Sequence, residues 1–342
     1  MQPNFERRAD EVKKKSLLGS LIAILSMVVL SGCEKLVVFD PQGPVARELA
    51  GLINYSILLM SIVVITVFLL LVVIVWKYRE RKDNMDYEPP EEHGSKWLEI
   101  TWTLIPILLV TALAIPTVKT IYAVEEVPKG YENQEPLVIH VTSADWKWIF
   151  SYPEEGIETI NYVNIPVDRP IDFRLTSAGT MQSFWIPSLA GQKYTMAKAE
   201  TNLHLVADNT GSFVGKNSNF NGQGYAGMEF EVLAQTQEEF EDWVKEVKDT
   251  APKLTEEEYE KKLEPSHLGR ETYSNTHLEW VDHSDPNSPN YLNPEMYDRG
   301  HGWKGEVFED ENNYKNDPKA GSEGHEGMNH DETSDGGDHS GH

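Results

Sequence analysis

Residues 215 to 228, GKNSNFNGQGYAGM, are punctuated by glycine like a loop that holds a ligand, yet they offer no cysteine, histidine or carboxylate to hold one with. Met228 supplies only a thioether, a soft but weak donor. The chain's one cysteine, Cys33, excludes an intramolecular disulfide and any thiolate-rich metal site. Four histidines, His325, His330, His339 and His342, fall in the last stretch of the chain. They could bind a transition metal weakly, but flexible ligands lose ordering entropy on each binding event, so a solvated acidic tail is the better reading. Glu99 opens an apolar stretch, where a carboxylate at a helix start contributes ~0.3 to 1 kcal/mol against the helix dipole.

Cys33 is informative by position. A basic run, RRADEVKKK at 7 to 15, precedes the charge-free SLLGSLIAILSMVVLSG at 16 to 32, which ends in small residues directly before Cys33. That is the layout of a secretory signal with a cleavage point, and LSGC at 30 to 33 resembles the bacterial lipobox. The expectation is a signal peptide over 1–32, a diacylated Cys33 as mature N-terminus, and an external N-terminal segment over 33–48. A membrane helix with an incidental cysteine is the alternative.

These residues have to be positioned by elements that the hydropathy pattern makes plain. Residues 49–76 carry no charge, and ~20 apolar residues suffice to cross ~30 Å of hydrocarbon. A second span is expected over 98–119, with Pro106 and Pro116 tolerated where neighbouring helices cover the freed carbonyls. In the loop between them, 77–97, Lys77, Arg79, Arg81 and Lys82 sit against the first span, which marks that side as cytoplasmic and places both mature termini outside. A topogenic cluster that meets anionic lipid is the preferred role for these cations.

From residue 120 the pattern becomes short alternating runs: 137–142, 171–176, 183–187, 203–208 and 228–233, separated by turn residues. The expectation is an external all-β sandwich over 120–235. Residues 235–264 read as an amphipathic helix with Phe240, Trp243 and Val247 on one face, part of an arm over 236–280. An acidic tail over 281–342 is expected to be disordered, most clearly from 316 onward, where apolar side chains almost vanish. The net charge of -25, from 55 acidic and 30 basic residues, argues against a nucleic-acid partner.

A leader, two spans with a basic loop and an external β-sandwich together resemble subunit II of the haem-copper terminal oxidases, over about residues 45 to 280. LEITWTLIP at 98 to 106 resembles the opening of that family's second helix, DWKW at 145 to 148 its aromatic-rich strand, and EFEDWVKEVK its C-terminal arm. SFWIPSLAG at 183 to 191 and the loop at 215 to 228 match its two metal-loop regions. The resemblance implies a membrane protein with a two-helix transmembrane hairpin and a cupredoxin-like sandwich.

In the cytochrome c oxidases of that family these loops hold a binuclear copper centre through two thiolates, two imidazoles, a thioether and a glutamate carbonyl. Carried onto this chain, the first histidine position falls on Gln182, the cysteines on Asn217 and Asn221, the glutamate on Asn219 and the second histidine on Tyr225. Only the methionine remains, as Met228. One thioether does not hold two coppers. The resemblance therefore points to the quinol oxidase branch, nearest to the bacillus-type cytochrome aa3 menaquinol oxidase. It implies a complex that oxidises quinol, with menaquinol the expected one, reduces oxygen to water and translocates protons.

This chain is then expected to bind no cofactor or metal itself. Haems, the oxygen-site copper and most of the quinol site would lie on subunit I. Its partners would be subunit I, the other subunits and membrane lipid, with no cytochrome c and no catalytic residue of its own. The resemblance also matches Glu99 to the mouth of a proton channel, a reading that stands beside the helix-dipole one. Trp146 and Trp148 alternate with Lys147 and so face one side of a strand, which favours aromatic packing without an electron-transfer role. A cytochrome c oxidase subunit II, or a membrane-anchored cupredoxin-like protein outside any oxidase, are the competing functions. The first conflicts with Gln182, Asn217, Asn221 and Tyr225; the second would need neither spanning helix and would still need copper ligands.

Overall fold

The computed structural model describes residues 36–79 and 94–288. Cys33, the loop cations Arg81 and Lys82 and the four tail histidines lie outside the described residues.

The first long helix, α1, runs Pro44–Tyr78 and the second, α2, Lys96–Glu125. Both are long and apolar enough to cross a membrane. α1 starts five residues before the expected 49 because Gly43 and Pro44 form its entry, with proline at the first helical position, and because Val45, Ala46 and Ala50 are buried against the β-domain. At 1.5 Å per residue a helix of this length spans about 52 Å, far more than the hydrocarbon needs. The excess docks the helix on the sandwich. α2 likewise continues past 119 to Glu125, which pairs with Lys193. Pro106 and Pro116 both lie inside it.

The β-domain is a two-sheet sandwich. Strands β1 Leu137–Ala144, β2 Lys147–Tyr152, β3 Ile157–Ile160, β5 Ile171–Ser177 and β8 Thr201–Leu205, with β11 Glu271–Tyr273 from the arm, form a sheet ordered β11-β3-β2-β1-β5-β8. The second sheet holds β4 Tyr162–Pro166, β6 Gln182–Trp185, β7 Gln192–Thr195, β9 Gly211–Asn217 and β10 Glu229–Gln235 in the order β4-β10-β9-β6-β7. Most neighbours are antiparallel, while β1 runs parallel to β5 and β4 to β10. Between the sheets Trp148, Phe150, Phe173, Phe184 and Phe230 interlock, with Phe184 and Phe230 stacked at 4.9 Å. Burying such rings is the largest single source of sandwich stability.

Two expectations need correction. The segment read as one helix over 235–264 is two, α3 Gln237–Thr250 and α4 Glu256–Lys262. Pro252 interrupts it, and each helix opens on its own capping box, Thr236 with Glu239 and Thr255 with Glu258. The arm also does not end at 280. Val281 and His283 are buried, at 2% and 7% exposure, in a second core made by Ile149, Ile160, Leu254, Tyr259 and Leu263. The arm is a third layer over the outer face of the first sheet.

Candidate functional site

The loop at 218–228 is held at both ends by strands. Asn217 closes β9 opposite Phe184 on β6, and β10 begins directly after Met228. Asn217 is buried, and its Oδ1 accepts from the backbone N–H of Ser183 and of Asn219, both at 3.0 Å. The Asn219 amide donates to the carbonyl of Met181 at 3.0 Å. The Asn221 amide points at the Met228 sulfur at 3.6 Å. Met228 itself is buried, and Tyr225 sits in a short 3-10 turn against the exposed ring of Phe220. Gln182, fully buried, donates from Nε2 to the Asp145 carboxylate at 3.2 Å, which also accepts from the Thr180 hydroxyl at 2.7 Å.

Gly215, Gly222 and Gly224 are required for different reasons. Gly222 alone among them has the left-handed backbone, φ 119°, that disfavours a side chain. Gly215 lies within β9, where a Cβ would collide with the Phe230 ring, and a Cβ at Gly224 would collide with the Trp146 indole. These two are required by close approach.

Trp146 is thus the wedge under the loop. Its Nε1 donates to the Asn221 carbonyl at 3.4 Å, and its ring stacks on His267 with centroids 5.9 Å apart. Trp148 faces the sandwich core. Both indoles are buried, as packing requires. Beside them Lys147 is fully buried and donates from Nζ to the carbonyls of Asp145, at 2.7 Å, and Glu264, at 2.6 Å. Burial pushes its pKa down to about 7. Burial, with the nearby Lys147 charge, also lowers His267. Asp145 and Lys147 showed in the sequence only as part of DWKW, and His267 not at all, since the arm that carries His267 returns to them from more than a hundred residues away.

The donor set around the loop does not suit a copper pair. One thioether, amides, a phenol and the Trp146-stacked imidazole of His267, which lies against Gly227, are what is available. Among the described residues no group of three or more His, Cys, Asp or Glu is placed to hold a metal ion.

A second cluster lies beneath the arm. Glu158 and His277 are fully buried, with His277 Nδ1 2.6 Å from Glu158 Oε2, an oxygen that also accepts from the Ser151 hydroxyl at 2.7 Å. Tyr259 stacks on His277 at 4.5 Å, and its hydroxyl lies 2.8 Å from His283 Nε2. Burial first, and His277 second, push the His283 pKa down to about 3. With no access for a substrate, this cluster fastens the arm to the sheet. Glu99, by contrast, lies exposed in the first turn of α2.

Residues 33–120 match the family model described as cytochrome c oxidase subunit II, transmembrane domain. The chain is 52% identical over 281 residues to "Quinol oxidase subunit 2" of Bacillus anthracis, covering 82% of this chain and 96% of that protein. It is 50% identical over 266 residues to "Quinol oxidase subunit 2" of Bacillus subtilis, covering 77% and 83%. Among solved structures, the periplasmic domain of subunit II of cytochrome oxidase from Bradyrhizobium japonicum is 24% identical with a TM-score of 0.34, covering 36% of this chain and 98% of that one.

Proposed function

The chain belongs to the quinol oxidase subunit 2 family, and from that premise we propose that it serves, without a copper relay, a haem-copper oxidase complex whose electrons come from a quinol dissolved in the membrane. Menaquinol is the proposed donor. The complex reduces oxygen to water and translocates protons, and cytochrome c is not a partner. Haems, the oxygen-reducing copper and most of the quinol site belong to subunit I, and this chain carries no catalytic residue. Its mature form begins at a lipidated Cys33, with both termini and the sandwich outside the cytoplasm.

What supports this reading is the use made of the positions that resemble copper ligands. Asn217 spends its side-chain oxygen on two backbone N–H groups, and Asn219 its amide on a carbonyl, so each closes the loop by hydrogen bonds to the chain itself. An electron donor inside the membrane has no need of a relay on an outer domain. The chain's own contribution is mechanical. Arg47 of α1 pairs with Asp208, Gln42 donates from its N–H to the Ser188 carbonyl at 2.8 Å, and Glu125 of α2 pairs with Lys193, so the hairpin and the sandwich form one unit for subunit I to rest on.

The test is purification of the complex from membranes, its copper-to-haem ratio, and its turnover with quinol and with reduced cytochrome c. The expected result is a single oxygen-site copper and turnover with quinol only. Additional copper, or turnover with cytochrome c alone, overturns the proposal.

A further inference from the structure

Where the hairpin meets the sandwich, the two helices draw apart. Deeper in the span they touch, the Tyr55 hydroxyl donating to the Ala112 carbonyl at 3.2 Å. Above that contact, from Pro116 outward, a cleft of about 580 Å³ opens between them, within the size range of small-molecule sites. Gly51, Leu52 and Val124 line its apolar part, and Arg47, Glu48 and Lys129 its outer rim. Arg47 is neutralised by Asp208, whereas neither Glu48 nor Lys129 has an ion-pair partner among the described residues. The cleft therefore presents one available cation and one available anion above an apolar channel, at the end of two helices apolar enough to cross the membrane.

We propose that this cleft is a binding site for one zwitterionic phospholipid from the leaflet on the sandwich side. Its phosphate sits against Lys129 and its ammonium against Glu48, each through a charge-assisted hydrogen bond, and an acyl chain runs down past Gly51 and Leu52. An anionic lipid would place its net charge beside Glu48 without the compensating ammonium. The channel is open beside Gly51, where a Cβ would meet nothing within 4 Å, so only a large side chain there would fill it. The assignment depends on the hairpin crossing a membrane and is independent of the electron donor.

The full complex is purified, reconstituted in nanodiscs of phosphatidylethanolamine or of phosphatidylglycerol, and its retained lipids are counted by native mass spectrometry after detergent extraction. The wild type is expected to retain one phosphatidylethanolamine that Gly51→Phe, which fills the channel, does not. Gly51→Ala, too small to fill it, keeps the lipid. The double variant Glu48→Gln with Lys129→Gln is expected to lower retention about tenfold, which is about 1.4 kcal/mol. Haem content reports assembly of each variant, and the double variant answers the question if Gly51→Phe fails to assemble. Equal lipid counts in wild type and variants overturn the proposal, as does equal retention of phosphatidylglycerol or a partner-subunit segment occupying the cleft in a structure of the complex.

Discussion

Asn217→Ala isolates the hydrogen bonds that close the loop. The native oxygen accepts from Ser183 N–H and Asn219 N–H, at 3.0 Å each. Ser183 is 1% exposed, so its abandoned donor costs the full desolvation penalty of ~1 to 3 kcal/mol. Asn219 is half-buried and recovers part of its loss from water, adding ~1 kcal/mol or less. The sum is about 1 to 4 kcal/mol, or a fall in Tm of roughly 2 to 16 °C for a domain of this size. Asn217→Asp keeps the acceptor oxygen but buries a carboxylate whose second oxygen takes the place of an Nδ2 with no hydrogen-bond partner among the described residues, so it does not recover the loss. Asn221→Ala, which removes a 3.6 Å contact to sulfur, is expected to cost least. Thermal unfolding of the sandwich in the purified complex reads all three. An Asn217→Ala midpoint within about 1 °C of wild type, or Asn221→Ala as damaging as Asn217→Ala, refutes the view that side-chain hydrogen bonds hold this loop.

Other expectations are shorter to state. Gly224→Ala drives a methyl into the Trp146 indole and is expected to cost ~1 to 3 kcal/mol by overpacking, read as a lower unfolding midpoint. His283 releases its proton near pH 3 when folded and near 6.5 when unfolded, so between those values the unfolded chain binds more protons and the arm loosens as pH falls; amide exchange over 254–288 is expected to quicken from pH 7 to pH 4, and His283→Gln to flatten that response. Lys147 titrates near 7 folded against 10.5 unfolded, so stability is expected to rise with pH across that window, by up to several kcal/mol, and Lys147→Met to remove the rise in chemical denaturation. Glu99→Gln is expected to slow steady-state quinol oxidation at least about tenfold if the carboxylate feeds a proton channel; unchanged turnover across the pH range leaves the helix-dipole role alone.

The spans were legible because nothing but a membrane or a core accepts residues 49–76 without a charge. The strands β1, β5, β6, β8 and β10 were legible through their short runs and β2 through its resemblance, while β3, β4, β7 and β9 were not. β2, β3 and β4 are buried at every position, β2 and β3 under the arm, and full burial erases the period-two pattern. The arm's own layout was misjudged for a related reason. Its acidic helices read as surface, and the residues that tie them down, Glu158 with His277, are 119 positions apart. A pair that distant leaves no trace in local sequence.

The loop at 215–228 shows the same division between what is local and what is not. Its missing ligands could be read directly, since a thiolate or imidazole is either present at a position or absent. What holds the loop in their absence could be read only in part. The asparagines act within a few residues or across one strand pair. The wedge of Trp146, the His267 ring stacked on it and the Lys147 ammonium that bonds the carbonyl at Glu264 come from the other sheet and from the arm. A metal centre concentrates its bonding at one point, whereas here the same loop is fastened by several weak contacts spread over three layers. Because each is worth only about 1 kcal/mol, the order of the loop depends on the arm staying in place, and the buried histidines that fasten the arm become part of what positions the loop.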